Sequence, residues 1–72
     1  MWGNRMDYAS KIKQLREVLF LTQEDLAKRL GTSTISISRW ERGEHEPTMK
    51  MKKELHLLFI EANIISDIKR GE

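Results

Sequence analysis

The side chains with recognition chemistry gather between Gly31 and Gly43: Thr34, Ile35, Ser38, Arg39 and Arg42. An arginine offers a planar fork of N–H donors that matches paired acceptors, and a serine or threonine hydroxyl both donates and accepts. Groups of this kind suit binding, since a hydroxyl attacks covalently only when an adjacent base activates it. The residue types needed for turnover or metal binding show no comparable layout. The chain has no cysteine, which removes disulfides and thiolate ligands together, and His45 and His56 lack a spaced ligand partner. They read as a loop histidine and a histidine on a helix surface. No nucleophile stands at recognisable spacing from a base, no loop is built to cradle phosphate, and 72 residues leave no room for a sizeable pocket. Neither enzymatic activity nor a metal or cofactor is expected.

Lysine and arginine outnumber aspartate and glutamate by only 13 to 11, so net charge says little about partners. Placement says more. Lys11, Lys13, Arg16, Lys28, Arg29, Arg39 and Arg42 crowd the first two-thirds of the chain, and nucleic-acid binding is read from such local clusters. A solvated helical surface explains most of the lysines equally well. The longest apolar run, Leu57-Leu58-Phe59-Ile60, ends at Glu61 and falls far short of the roughly 18 residues of a membrane span. No basic segment followed by an apolar one opens the chain, so secretion is not signalled and a cytoplasmic location is expected.

The elements that must position these residues follow from apolar spacing. Residues 1–6 show no period and read as a loose lead-in, with Trp2 free to fold back, join a dimer contact or lie exposed. From Asp7, a capping residue, Tyr8, Ile12, Leu15 and Leu19 fall along one helical face. That helix is expected to end near Leu19 or Phe20. Thr22 starts a second helix, with Glu24 and Asp25 at its positive end. Asp25 stands where a capping box prefers Glu or Gln, which leaves the reciprocal bond open. Leu26, Ala27 and Leu30 give this helix its apolar face, and Gly31 ends it.

Thr32 and Ser33 supply the next turn and cap, and a third helix is expected to run from Thr34 to Arg42, closed by Gly43. Ile37 and Trp40 share its inner face. After the polar connector Glu44-His45-Glu46-Pro47, Thr48 caps a fourth helix carrying Met51, Leu55, Leu58, Phe59 and Ala62 to about Asn63. Ser66 either caps a short last turn or marks where the tail frays. The expectation is an all-α bundle of four to five short helices: a domain over 7–65, preceded by the lead-in and followed by a short tail, 66–72.

The tight join at Gly31 to Ser33 sets the second and third helices at a large angle, the arrangement that lays the latter in a DNA major groove. Thr34, Ile35, Ser38 and Arg39 then face the base edges. A guanidinium fork at Arg39 matches guanine O6 and N7, and Ile35 suits a thymine methyl or folds against the second helix.

Two segments carry a family likeness. Thr22-Gln23-Glu24-Asp25-Leu26-Ala27-Lys28-Arg29-Leu30-Gly31, followed by Ile37-Ser38-Arg39-Trp40-Glu41-Arg42-Gly43, resembles the lambda-repressor-like (Xre-type) helix-turn-helix family. The likeness extends upstream through Ile12, Leu15, Arg16 and Glu17 and downstream through Pro47-Thr48. It implies base readout by Thr34, Ile35, Ser38 and Arg39, and phosphate contacts by Gln23, Ser33 and Arg42. It also implies a partly buried structural ion pair between Arg16 and Glu41, and a core role for Trp40. Phe20 departs from the pattern, because most members have glycine there; either the backbone accepts strain or the helix ends differently.

The function the resemblance implies is sequence-specific binding of double-stranded DNA, as a prokaryotic or phage transcriptional regulator. A lone module makes few contacts, so a homodimer on a two-fold site is expected. Leu57, Ile60, Ile64 and Ile65 are candidates for the dimer contact or for cover over a small core. The alternative is a protein-interaction module of the same fold, such as an antitoxin that neutralises a toxin, which would make a toxin or effector the partner.

Overall fold

In a computed structural model, residues 7–65 are described and form four helices: α1 (Tyr8–Leu19), α2 (Gln23–Leu30), α3 (Thr34–Glu41) and α4 (Met49–Glu61). Among the described residues there is no strand, and the fold they make is all-α with four helices. The lead-in with Trp2, and the tail from Ser66 with Ile68, lie outside the described residues.

Each helix opens on a short polar side chain that accepts a backbone N–H of the first turn. Asp7 takes the Ser10 amide at 3.3 Å, Thr22 takes Asp25 at 3.0 Å, Ser33 takes Ser36 at 3.1 Å and Thr48 takes Met51 at 3.3 Å. These bonds satisfy donors that the helix itself cannot. The short Asp25 side chain does reach back to the Thr22 amide, at 3.0 Å, so the capping box at α2 is complete.

The helices also end alike. A left-handed residue stands one position past α1 and α2 and two positions past α3 and α4, and two backbone bonds close each end in a Schellman pattern. After α2 the pair is Gly31 N to Lys28 O and Thr32 N to Ala27 O; after α3 it is Gly43 N to Trp40 O and Glu44 N to Arg39 O. Glycine accepts φ near +75° without a side-chain clash, which is why it stands at both places. Asn63 does the same after α4 at φ 60°, and Phe20 after α1 at φ 57°. Phe20 therefore resolves its departure from the family pattern: α1 ends where expected and the backbone takes the strain. Helix α3 closes one residue earlier than expected, at Glu41, with Arg42 still in right-handed geometry.

The core lies where the four apolar faces meet. Ile12 and Leu15 of α1, Leu26, Ala27 and Leu30 of α2, Ile37 and Trp40 of α3, and Met51, Leu55 and Phe59 of α4 are all buried. Helix α3 packs on α1 and α2, and α4 packs on the same two helices. Tyr8, Leu19, Leu58, Ala62, Ile64 and Ile65 close the edges of this cluster. The four residues weighed for a dimer contact thus divide: Ile64 and Ile65 cover the core, Ile60 is half-buried and Leu57 is exposed. No helix among the described residues is long and apolar enough to cross a membrane.

Candidate nucleic-acid interface

Helix α3 has two faces with different chemistry. Ile37, Trp40 and Glu41 point inward and are buried, while Thr34, Ile35, Arg39 and Arg42 are exposed and Ser38 is half-exposed. Positions 34, 35, 38, 39 and 42 recur at helical spacing, so the exposed set forms one continuous strip. The apolar pair on the inside fixes which strip faces out.

The inner face carries one charge. The Arg16 guanidinium reaches from α1 to Glu41, with Nε to Oε2 at 2.6 Å and Nη2 to Oε1 at 2.9 Å, while Nη1 donates to the Leu21 carbonyl at 3.3 Å. The Gln23 amide adds a bond to Glu41 Oε1 at 3.1 Å. One carboxylate therefore joins α1, the start of α2 and the end of α3. Burial pushes the Glu41 carboxyl up, but the bonds from Arg16 and Gln23 outweigh it and hold the group below the ordinary carboxylate range. Among the described residues no buried side-chain polar atom lacks a partner.

The expected base-reading residues all sit on the outer strip. Ile35 is 63% exposed and does not fold against α2 as a core residue would. The Arg39 side chain is exposed and makes no hydrogen bond or ion pair among the described residues. Ser38 accepts from Arg42 Nη1 at 2.9 Å, which leaves the proton of its own hydroxyl to be donated outward.

The expected phosphate contacts are more committed. Ser33 spends its hydroxyl on the cap and on Ser36, at 3.1 Å in each case. Gln23 has one amide hydrogen on Glu41 and a second remaining, so it stays able to donate outward while its position is fixed from behind. Arg42 is clasped by Glu44, with Nε to Oε2 at 2.9 Å and Nη2 to Oε1 at 3.2 Å. That bond with Arg42 lowers the Glu44 carboxyl below its ordinary range, with the charges of Arg42, Arg39 and His45 acting in the same direction.

Sequence reasoning missed three of these contacts. The Glu44 clasp and the Gln23 bond depend on how the chain turns between helices, and no spacing rule announces either. The third concerns His56, read as a surface residue: it is half-buried, 3.2 Å from the Tyr8 hydroxyl and packed near the Phe59 ring. Its partner lies 48 residues away, so only the meeting of α1 and α4 reveals it. No group of three or more histidine, cysteine, aspartate or glutamate side chains suited to a metal occurs among the described residues.

Two short capped helices, closed at Gly31 and followed by an exposed polar strip on the second, define a helix-turn-helix domain. A family model described as Helix-turn-helix matches residues 12–55, and the chain belongs to this lambda-repressor-like (Xre-type) family. It is 41% identical over 67 residues to the HTH-type transcriptional activator BcrR of Enterococcus faecalis, covering 93% of this chain and 32% of that protein. It is 50% identical over 50 residues to the HTH-type transcriptional regulator DicA of Escherichia coli, covering 69% and 37%. An uncharacterised HTH-type transcriptional regulator of Methanocaldococcus jannaschii is 40% identical over 50 residues, covering 69% and 76%. The chain thus spans about a third of the length of the two bacterial relatives. No solved structure matches it at a significant level.

Proposed function

We propose that this domain binds double-stranded DNA sequence-specifically as part of a transcriptional regulator, with α3 lying in the major groove. The observation that carries this reading is the outer strip of α3, where Thr34, Ile35, Ser38 and Arg39 stand exposed on a helix held rigidly from behind. The groove admits one α-helix, and its base edges offer the acceptors and the methyl group that these side chains match. Arg39, without an internal partner, takes the role of reading guanine; Ile35 takes a thymine methyl. Ser38, whose hydroxyl proton is not used in its bond with Arg42, takes an acceptor such as a purine N7.

Gln23, Ser33 and Arg42 flank the strip and take the phosphates. They set register and carry no sequence information themselves. A single module of this size buries little surface on DNA, so two copies on a two-fold site form the working unit. The naming of the relatives as transcriptional regulators supports the same reading.

Selection of duplexes from a randomised pool, followed by titration of the preferred duplex at several salt concentrations, tests it. A defined preferred site is expected, with affinity falling steeply as salt rises because each phosphate contact releases counterions. A protein that holds no duplex even in dilute buffer would overturn the proposal.

A further inference from the structure

Among the cations of the described residues, Arg42 is unusual in where its partner lies. Lys28 and Glu24 pair along α2, Arg29 pairs with Glu61, and Lys52 pairs with Glu46, none of them on the outer strip of α3. Arg42 and Glu44 pair at the end of that strip, beside Ser38 and Arg39. Glu44 reaches this position because Gly43 turns left-handed at φ 77° and the Glu44 amide bonds back to the Arg39 carbonyl at 2.9 Å. The turn brings the carboxylate alongside a guanidinium only two residues earlier in sequence.

The clasp uses the two-oxygen geometry with which a guanidinium also holds a phosphate. Three of the five N–H donors of Arg42 are occupied, two by Glu44 and one by Ser38. A phosphate approaching Arg42 must therefore displace a carboxylate of like charge or accept the donors that remain.

We propose that Glu44 is an intramolecular stand-in for phosphate, which competes with DNA for Arg42 and so limits the affinity of the domain for any duplex. This rests on the DNA-binding reading above. Because the competition is for a backbone contact, it acts alike on preferred and unrelated sequences. Glu44 thereby weakens the sequence-independent part of binding and leaves base selection to the rest of the strip.

The test measures the unmutated protein, Glu44→Gln, Arg42→Ala and the double variant on one selected and one unrelated duplex across a range of salt. Both partners are about half-exposed, so the pair itself is weak and the substitutions leave the fold in place, which circular dichroism checks. Glu44→Gln is expected to tighten binding roughly two- to fivefold at low salt on both duplexes. Its logarithmic salt slope is expected to steepen by about one, the value of one further phosphate contact. With Arg42 already alanine, the same change is expected to give less than about twofold.

A Glu44→Gln protein that binds no tighter than the unmutated one overturns the proposal while leaving DNA binding intact. So does an equal gain in the absence of Arg42, which would reduce Glu44 to a general repulsive charge. An unmutated protein that binds neither duplex overturns this proposal together with the reading beneath it.

Discussion

Two arginine–glutamate clasps stand at the same end of α3, one on each face. Arg16 holds Glu41 at 2.6 and 2.9 Å on the inside, and Arg42 holds Glu44 at 2.9 and 3.2 Å on the outside. Their geometry is nearly the same; their surroundings are not. The Glu41 side chain is 4% exposed and that of Glu44 is 49% exposed. In water a charge loses little when its partner leaves, whereas a buried carboxylate stripped of its partner has nothing to replace it. The inner clasp is therefore scaffold, and the outer one is exchangeable.

The largest difference is expected on deleting the arginines. Arg16→Ala leaves Glu41 buried and charged, with only Gln23 still bonded to it, and should cost about 3–5 kcal/mol of stability. A domain of this length has a total stability of only about 4–10 kcal/mol, so urea unfolding of the variant should begin at very low denaturant. Acid should expose the same dependence. Because the folded Glu41 pKa is depressed, its stabilising contribution is complete above the unfolded value of about 4.3 and is lost as pH falls through the lower folded value. Glu41→Gln should flatten that acid limb. An Arg16→Ala protein as stable as the parent would show that the two clasps do not differ.

Next in size is an effect on recognition with the scaffold untouched. The Arg39 side chain stands on the outer face without a hydrogen bond among the described residues, so Arg39→Ala should leave the circular dichroism spectrum and melting behaviour unchanged. It should remove about 1–3 kcal/mol of discrimination at one base pair of the preferred site. Selection repeated with the variant reads this directly. Retention of the same preference would move base readout elsewhere on the strip.

How much of this was legible in the chain depends on how local the cause is. The caps at Asp7, Thr22, Ser33 and Thr48 and the glycines at 31 and 43 act within a few residues, and sequence alone places them. The inward set of Ile12, Leu15, Ile37 and Trp40 follows from periodicity. Arg16 and Glu41 lie 25 residues apart, and only the family resemblance links them. The Glu44 clasp escapes both routes, since it needs the direction in which the Gly43 turn sends the chain.

Phe20 falls between these cases: its oddity is visible in sequence, but its resolution is not. The ring is 92% exposed and φ is 57°, so the residue gains almost no burial and sits in a conformation that side chains disfavour. The turn is held next to the inner clasp, where Arg16 Nη1 bonds the Leu21 carbonyl at 3.3 Å. Phe20→Gly should therefore raise stability by about 1 kcal/mol, the relief of left-handed strain less the extra freedom glycine has when unfolded. Thermal melting measures it. A destabilised variant would mean that the exposed ring has a contact worth more than the strain.

The smallest expected effect is the one that defines the outer clasp. A double-mutant cycle on Arg42 and Glu44 should give only a weak coupling in stability, as exposed ion pairs do. Both side chains are about half in solvent, so added salt should shrink that coupling further. The same cycle on Arg16 and Glu41 should give a larger coupling that salt hardly alters, because solvent ions have little access to a carboxylate buried beneath α1 and α3. If the outer coupling matched the inner one and resisted salt, the clasp at Glu44 would be part of the scaffold, and a phosphate could not compete for Arg42. The contrast between the two faces of α3 is thus tested most sharply where the numbers are least.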